Sequence, residues 1–203
     1  MVNEKARIIR KLGIPCTIKY LEGTVKTSKF LVKRASTLFN SLLSVEAHRK
    51  GDFLPEADVR GGCIVTNNTS GESYVVVAIF PETFQEMVLA HVSHMLVVNT
   101  KLTVTRDEVS ADKYGDVTNT PKEVISDSDV YVELVTQDLR QSDVGIHLDA
   151  EYLIYSPAFD ATLLDRLIIN NYITKDVALK VVSVDHTTYP GVVCIQAKSE
   201  TRE

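Results

Sequence analysis

Residues 149 to 195 constrain the fold more than any other stretch. They read Asp149-Ala-Glu-Tyr-Leu-Ile-Tyr155, Asp165-Arg-Leu-Ile-Ile-Asn170, Ala178-Leu-Lys-Val-Val-Ser-Val184 and Val192-Val-Cys-Ile195. Four short apolar, β-branched runs are separated by turn residues at Ser156-Pro157, Asn170-Asn171 and Pro190-Gly191. Val and Ile suit a pleated surface, and Pro, Gly and Asn close the turns, so the stretch predicts a small antiparallel β-domain. It contains no catalytic motif.

The same pattern runs upstream. Residues 2 to 12 predict a short helix with Ala6, Ile9 and Leu12 near one face, Gly13 as its stop and Pro15 barring continuation. Strands are expected at 16 to 21 and 24 to 33 around the turn signal Glu22-Gly23. The segment 35 to 46 fits a helix face or a strand equally well. Lys50-Gly51-Asp52 reads as a turn, Cys63 to Thr66 as a strand, and Asn67 to Gly71 as a turn. Tyr74 to Ile79 is nearly continuously apolar, so it predicts a strand buried on both faces.

Pro81-Glu82-Thr83 then opens a predicted amphipathic helix over about 83 to 95. Thr83 and Glu86 have capping-box spacing, and Phe84, Met87, Val88, His91, Val92 and Met95 recur at helical intervals. Extended segments follow at Leu96 to Asn99 and Leu102 to Arg106. Residues 107 to 129 turn polar and poor in core residues, which predicts a long projecting loop or hairpin arm. Tyr131 to Val135 resumes strand alternation.

The fold class is therefore mainly β: small antiparallel β-barrel or sandwich domains with a few short helices. The halves echo each other. Asp58 to Thr66 leads through a turn to Tyr74 to Ile79, as Asp165 to Asn170 leads to Ala178 to Val184. Two related domains are expected, at about 1 to 99 and 100 to 203.

Chemistry is sparse. The net charge is -5, with no concentrated basic stretch for nucleic acid. Cys16, Cys63 and Cys194 lack metal-ligand spacing and read as small buried thiols of a reducing compartment. No apolar run approaches a membrane span, and no signal peptide is expected at the start. His91 and His94 have i, i+3 spacing on the predicted helix, but no zincin glutamate or third ligand accompanies them. Asp107, Glu108, Asp112 and Asp116 do not follow EF-hand spacing. Neither Gly61-Gly62 nor Ser70-Gly71 matches a phosphate-binding loop. The expectation is no enzyme, no cofactor and no metal.

Residues 100 to 197 resemble the head–tail connector proteins of tailed bacteriophages, the stopper, head-closure or neck group. Leu102 to Arg106 ends a strand in Arg. The acidic loop carries Asp112-Lys-Tyr-Gly115. A central pair runs through Tyr131 to Val135 and Glu151 to Tyr155. Asp165 to Asn170 precedes Val181 to Val184 and a closing strand, Val192 to Ile195. Asn170-Asn171 stands where the family has a glycine, and Ala178-Leu179 where it has an aromatic residue.

The resemblance implies a β-barrel that assembles as a ring, usually a hexamer, between the portal or its adaptor and the tail, with residues 107 to 129 as the loop that closes the DNA channel. DNA would pass without specific binding. The chain would be made in the host cytoplasm and reside in the virion, away from membranes. Expected interface residues are Phe84, Met87, Val88 and Val92 on the apolar stripe, and Asp112, Tyr114 and Gly115 in the loop. The alternatives are a tail terminator or tail adaptor ring, and a cytoplasmic ligand-binding β-domain.

Overall fold

The computed structural model describes residues 3–34, 46–111, 117–143, 145–170 and 176–200. The ambiguous segment 35 to 46, all but Glu46, and the loop residues Asp112, Tyr114 and Gly115 lie outside them. The chain is mainly β, with two closed six-stranded antiparallel barrels and, among the described residues, two short helices.

The first barrel is preceded by helix α1 (Glu4–Leu12). Asn3 caps it, its Oδ1 accepting from the Ala6 amide at 2.9 Å, and the Gly13 amide closes it on Ile9 O at 2.7 Å. Ala6 and Ile9 are buried, but Leu12 is 66% exposed. Residues three apart each drift about 60° around a helix, so a third apolar residue at that interval leaves the packed face.

The strands of this barrel are β1 (Ile14–Lys19), β2 (Val25–Arg34), β3 (His48–Phe53), β4 (Ile64–Asn67), β5 (Ser73–Phe84) and β6 (Met87–Val97). They close in the order β1-β2-β3-β6-β5-β4. The core is partly aromatic: Phe30 stacks on Phe53 at 5.3 Å and meets Tyr74 edge-on.

Two expectations fail here for physical reasons. Lys50-Gly51-Asp52 is the middle of β3, paired on both sides, and not a turn. Gly51 serves close packing: a Cβ there would stand 2.8 Å from Ser93 Oγ and 3.0 Å from the Phe53 ring. Asp52, buried opposite Val92, is held by Lys5 and Lys33, each at 3.6 Å.

The predicted helix over 83 to 95 is instead the β5–β6 hairpin. Phe84 pairs with Met87 across a two-residue turn, Gln85-Glu86, whose φ angles are 45° and 65°. β6 is covered on one side by the barrel core, through Met95, and α1 lies against it elsewhere. A strand apolar on both faces contains a helix-like stripe as a subset of its positions, and pairing with both β3 and β5 decides the outcome.

That turn yields a prediction. Positive φ at two positions strains ordinary side chains and is relaxed by Asn-Gly. The double substitution Gln85→Asn, Glu86→Gly is expected to stabilise the protein by about 1 kcal/mol through relief of left-handed strain, read as a higher midpoint in thermal unfolding. An unchanged or lower midpoint would sink it.

The second barrel comprises β7 (Thr100–Ala111), β8 (Val117–Leu134), β9 (Tyr152–Pro157), β10 (Arg166–Asn170), β11 (Val177–Asp185) and β12 (Val192–Ser199). Helix α2 (Gln137–Ser142), which the sequence did not signal, joins β8 to β9. The closed order is β7-β8-β9-β12-β11-β10. Counted from its own first strand, each barrel therefore reads 1-2-3-6-5-4. The echo seen in the sequence, Asp58–Ile79 against Asp165–Val184, falls on the fourth and fifth strands of both. This core is aliphatic, built on Leu102, Val104, Ile154, Leu167, Leu179 and Ile195.

The chain forms two compact units. One is Met1–Val98 with His186–Val192; the other is Asn99–Asp185 with Val193–Glu203. No helix among the described residues is long and apolar enough to cross a membrane.

Candidate assembly surface

β7 and β8 outrun the barrel they belong to. β10 pairs with β7 only from Lys101 to Thr105, and β9 pairs with β8 only from Tyr131 to Leu134. Beyond those points the two strands pair with each other alone, out to Ala111 and Val117. Of the loop or hairpin arm expected at 107 to 129, the described residues 107–111 and 117–123 form a two-stranded ribbon. Its paired portion from Arg106 to Ala111 reaches about 17 Å at 3.4 Å per residue. Each strand of the ribbon has one outer edge with no strand partner among the described residues. Such edges are open to strand addition.

Bulges set the direction of this ribbon. The register with β7 skips one residue of β8 between Ser128 and Ile125, and another between Ile125 and Glu123. Asp127 sits in the first skip with φ 48°, its amide donating to Thr103 Oγ1 at 3.4 Å. Each extra residue bends and twists the strand locally.

The base is tied down by Arg106. Its guanidinium grips the Asp165 carboxylate with Nε–Oδ1 at 2.6 Å and Nη2–Oδ2 at 3.1 Å, and donates to Asp160 O at 2.6 Å. The Asp165 side chain is fully buried and also accepts from the Thr162 amide at 2.8 Å. A two-point fork fixes orientation as well as distance. These two residues were singled out in the sequence separately, 59 positions apart. Only the β7–β10 pairing brings them together.

The faces of the ribbon differ. On one, Glu108 bonds Lys122 at 2.9 Å and Ser110 bonds Thr118 at 2.8 Å, so the face satisfies itself. The other carries Asp107, Val109, Pro121 and Glu123. Val109 is 69% exposed, and neither Asp107 nor Glu123 makes an ion pair with another described residue.

The stripe expected on a helix is dispersed. Phe84 is exposed and Met87 half-buried at the β5–β6 turn. Asn3 Nδ2 donates to Val88 O and Leu89 O, and Val92 is buried. His91 and His94 point to opposite faces of β6, as residues three apart in a strand do. His91 Nε2 lies 3.0 Å from Pro55 O, and the His94 ring meets Phe80 edge-on. Among the described residues no three His, Cys, Asp or Glu side chains converge as a metal site would require.

Cys16 and Cys63 are buried, and burial pushes the Cys16 thiol up to about 12. A cleft of about 480 Å³ opens beside Tyr20, Lys26, Lys29, Glu56 and Asp58. Its polar groups are consumed within the chain. Lys26 pairs with Asp58, Glu56 with Arg10, and Lys29 donates to Arg10 O. They do not converge on a ligand.

The first barrel carries a pH-sensitive pair. His48 Nε2 is buried without a hydrogen-bond partner among the described residues. Burial, then His94 and Arg49, hold His48 below the ordinary histidine range; burial, then Lys50, does the same to His94. Lowered values mean that the unfolded chain binds protons first. The stabilisation is therefore complete above about pH 6.5 and is lost as pH falls through the folded values. The unfolding midpoint is expected to drop between pH 7 and 5.5, and the double variant His48→Gln, His94→Gln to flatten that slope. An equal slope in both proteins would count against it.

The fold and this surface define a class: a tandem-barrel protein with a projecting, unpaired β-ribbon. No family model matches the chain, and no curated protein matches it.

Proposed function

We propose that this chain is a structural virion protein of the bacteriophage head–tail junction. Its copies form a ring, six in number by the resemblance, that joins or closes the DNA channel between portal or adaptor and tail. The observation that carries the reading is the ribbon. It occupies the segment that the resemblance assigns to the channel loop, is built as an extended arm, and ends in two open strand edges.

Charge supports it as well. Residues 99–203 hold 10 Lys and Arg against 18 Asp and Glu, a net -8. An acidic wall repels the phosphate backbone and lets DNA slide.

The test is to replace residues 109–119 by Asn-Gly, closing the hairpin between Glu108 and Thr120, which pair directly. The barrel pairing is untouched, so the unfolding midpoint is expected to stay within about 3 °C of the parent, an effect below roughly 1 kcal/mol. Ring formation, read by light scattering, and closure of filled heads are expected to be lost. Rings of normal mass and infectious particles from this variant would refute the proposal.

A further inference from the structure

The two units differ in charge. Residues 1–98 hold 12 Lys and Arg against 9 Asp and Glu, a net +3, and residues 186–192 add none. The second unit is strongly acidic. Helix α1 displays the cationic side of that contrast. Its outer face carries Ile8 (47% exposed) and Leu12 (66% exposed) beside Arg7 and Lys11, both exposed and without an ion pair to another described residue.

Arg7 with Lys11, and Ile8 with Leu12, are i, i+4 pairs and share one side of the helix, about 6 Å apart along its axis. The unsatisfied face of the ribbon is the counterpart. Asp107 and Glu123 are diagonal neighbours roughly 7 Å apart, beside the exposed apolar Val109 and Pro121. The ribbon face offers two carboxylates and two uncovered apolar side chains; the helix face offers Arg7 and Lys11, with the exposed Glu4 one turn back on the same stripe, beside two uncovered apolar side chains, and all four apolar residues are exposed in the single chain.

We infer that the outer face of α1 is the seat for the β7–β8 ribbon of a second copy of this chain, Asp107 and Glu123 meeting Arg7 and Lys11 around a Val109–Leu12–Ile8 contact. The two surfaces are different patches of the same molecule, so the contact is heterologous. It repeats from copy to copy and closes as a ring where the rotation permits. The inference rests on the ring reading above and names the receptor of its arm. Opposed charges at a solvent-accessible rim contribute chiefly to register and encounter, with the apolar contact holding the pair.

The experiment is charge exchange in the full-length chain, with mass followed by light scattering over a concentration series in about 0.1 M salt. R7E/K11E and D107K/E123K are each expected to weaken self-association about 30-fold or more, and the four-fold combination to recover most of it. R7Q/K11Q is expected to give an intermediate loss. Circular dichroism and the unfolding midpoint verify that each variant folds. If the parent chain forms rings and R7E/K11E forms them equally well, the inference is overturned while the ring reading stands. If the combination stays dissociated, these faces are not partners. If the parent is monomeric throughout and a duplex oligonucleotide is bound through Arg7 and Lys11 instead, both the inference and the ring reading fall.

Discussion

Arg106→Met is expected to destabilise the second barrel by about 3–5 kcal/mol, because it strands a buried carboxylate. Asp165 has no exposed side-chain surface, and its compensation is the Arg106 fork plus one amide from Thr162. Losing the fork leaves a charge in low dielectric with a single donor. It also frees the base of the ribbon, since the same guanidinium holds Asp160 O. Asp165→Leu alone is expected to cost less, since Arg106 is 30% exposed and can turn to water. The pair R106M/D165L is expected to recover much of the loss, as replacement of a buried ion pair by apolar residues often does. Calorimetric unfolding of the four proteins gives the coupling. Additive losses with no recovery would show that the pair does not act as a unit.

Gly191→Ala is expected to cost about 3 kcal/mol or more and to lower the unfolding midpoint by roughly 6–12 °C. Within the first unit, the turn at Gly61-Gly62 meets the turn at Pro190-Gly191 backbone to backbone. A Cβ on Gly62 would overlap the Gly191 carbonyl, one on Gly61 the Pro190 carbonyl, and one on Gly191 the Gly61 carbonyl. Gly62 and Gly191 also have φ of 79° and 82°, the left-handed region where an alanine adds strain of its own. A main chain cannot yield as the end of a side chain can, so the turns must separate. Gly23→Ala is the control. Its φ is 83°, but nothing lies within 4 Å of the added methyl, so only the conformational cost of about 1 kcal/mol remains. Equal losses at the two sites would show that the backbone contact contributes nothing.

Strands β9, β10 and β12 were legible because each is a short β-branched run with Pro157, Asn170 or Gly191 at one end, and local preference there agrees with the final pairing. The same agreement made the hairpin at Gly23 and the Asn67–Gly71 turn readable. There the Asn67 side-chain Oδ1 accepts from the amides of Thr69 and Ser70, a purely local device. The β5–β6 hairpin was misread because its periodicity is real but degenerate: a strand covered on both faces offers apolar residues at every spacing. Gly51 was misread because a glycine admitted for core packing looks, in one dimension, like a glycine admitted for a turn.

By itself the chain determined its class: mainly β, with two stretches, Asp58 to Ile79 and Asp165 to Val184, that echo each other and a polar insertion ahead of Tyr131. These follow from side-chain shape and local backbone preference, which act over a few residues. Only the tertiary structure decided that both halves close in the same strand order, that the insertion is a ribbon with one satisfied face and one bare one, and that Arg106 meets Asp165. The physical reason is that closure, register and the pairing of distant charges depend on contacts across tens of residues. Bulges and barrel geometry set those contacts, and no local window contains them.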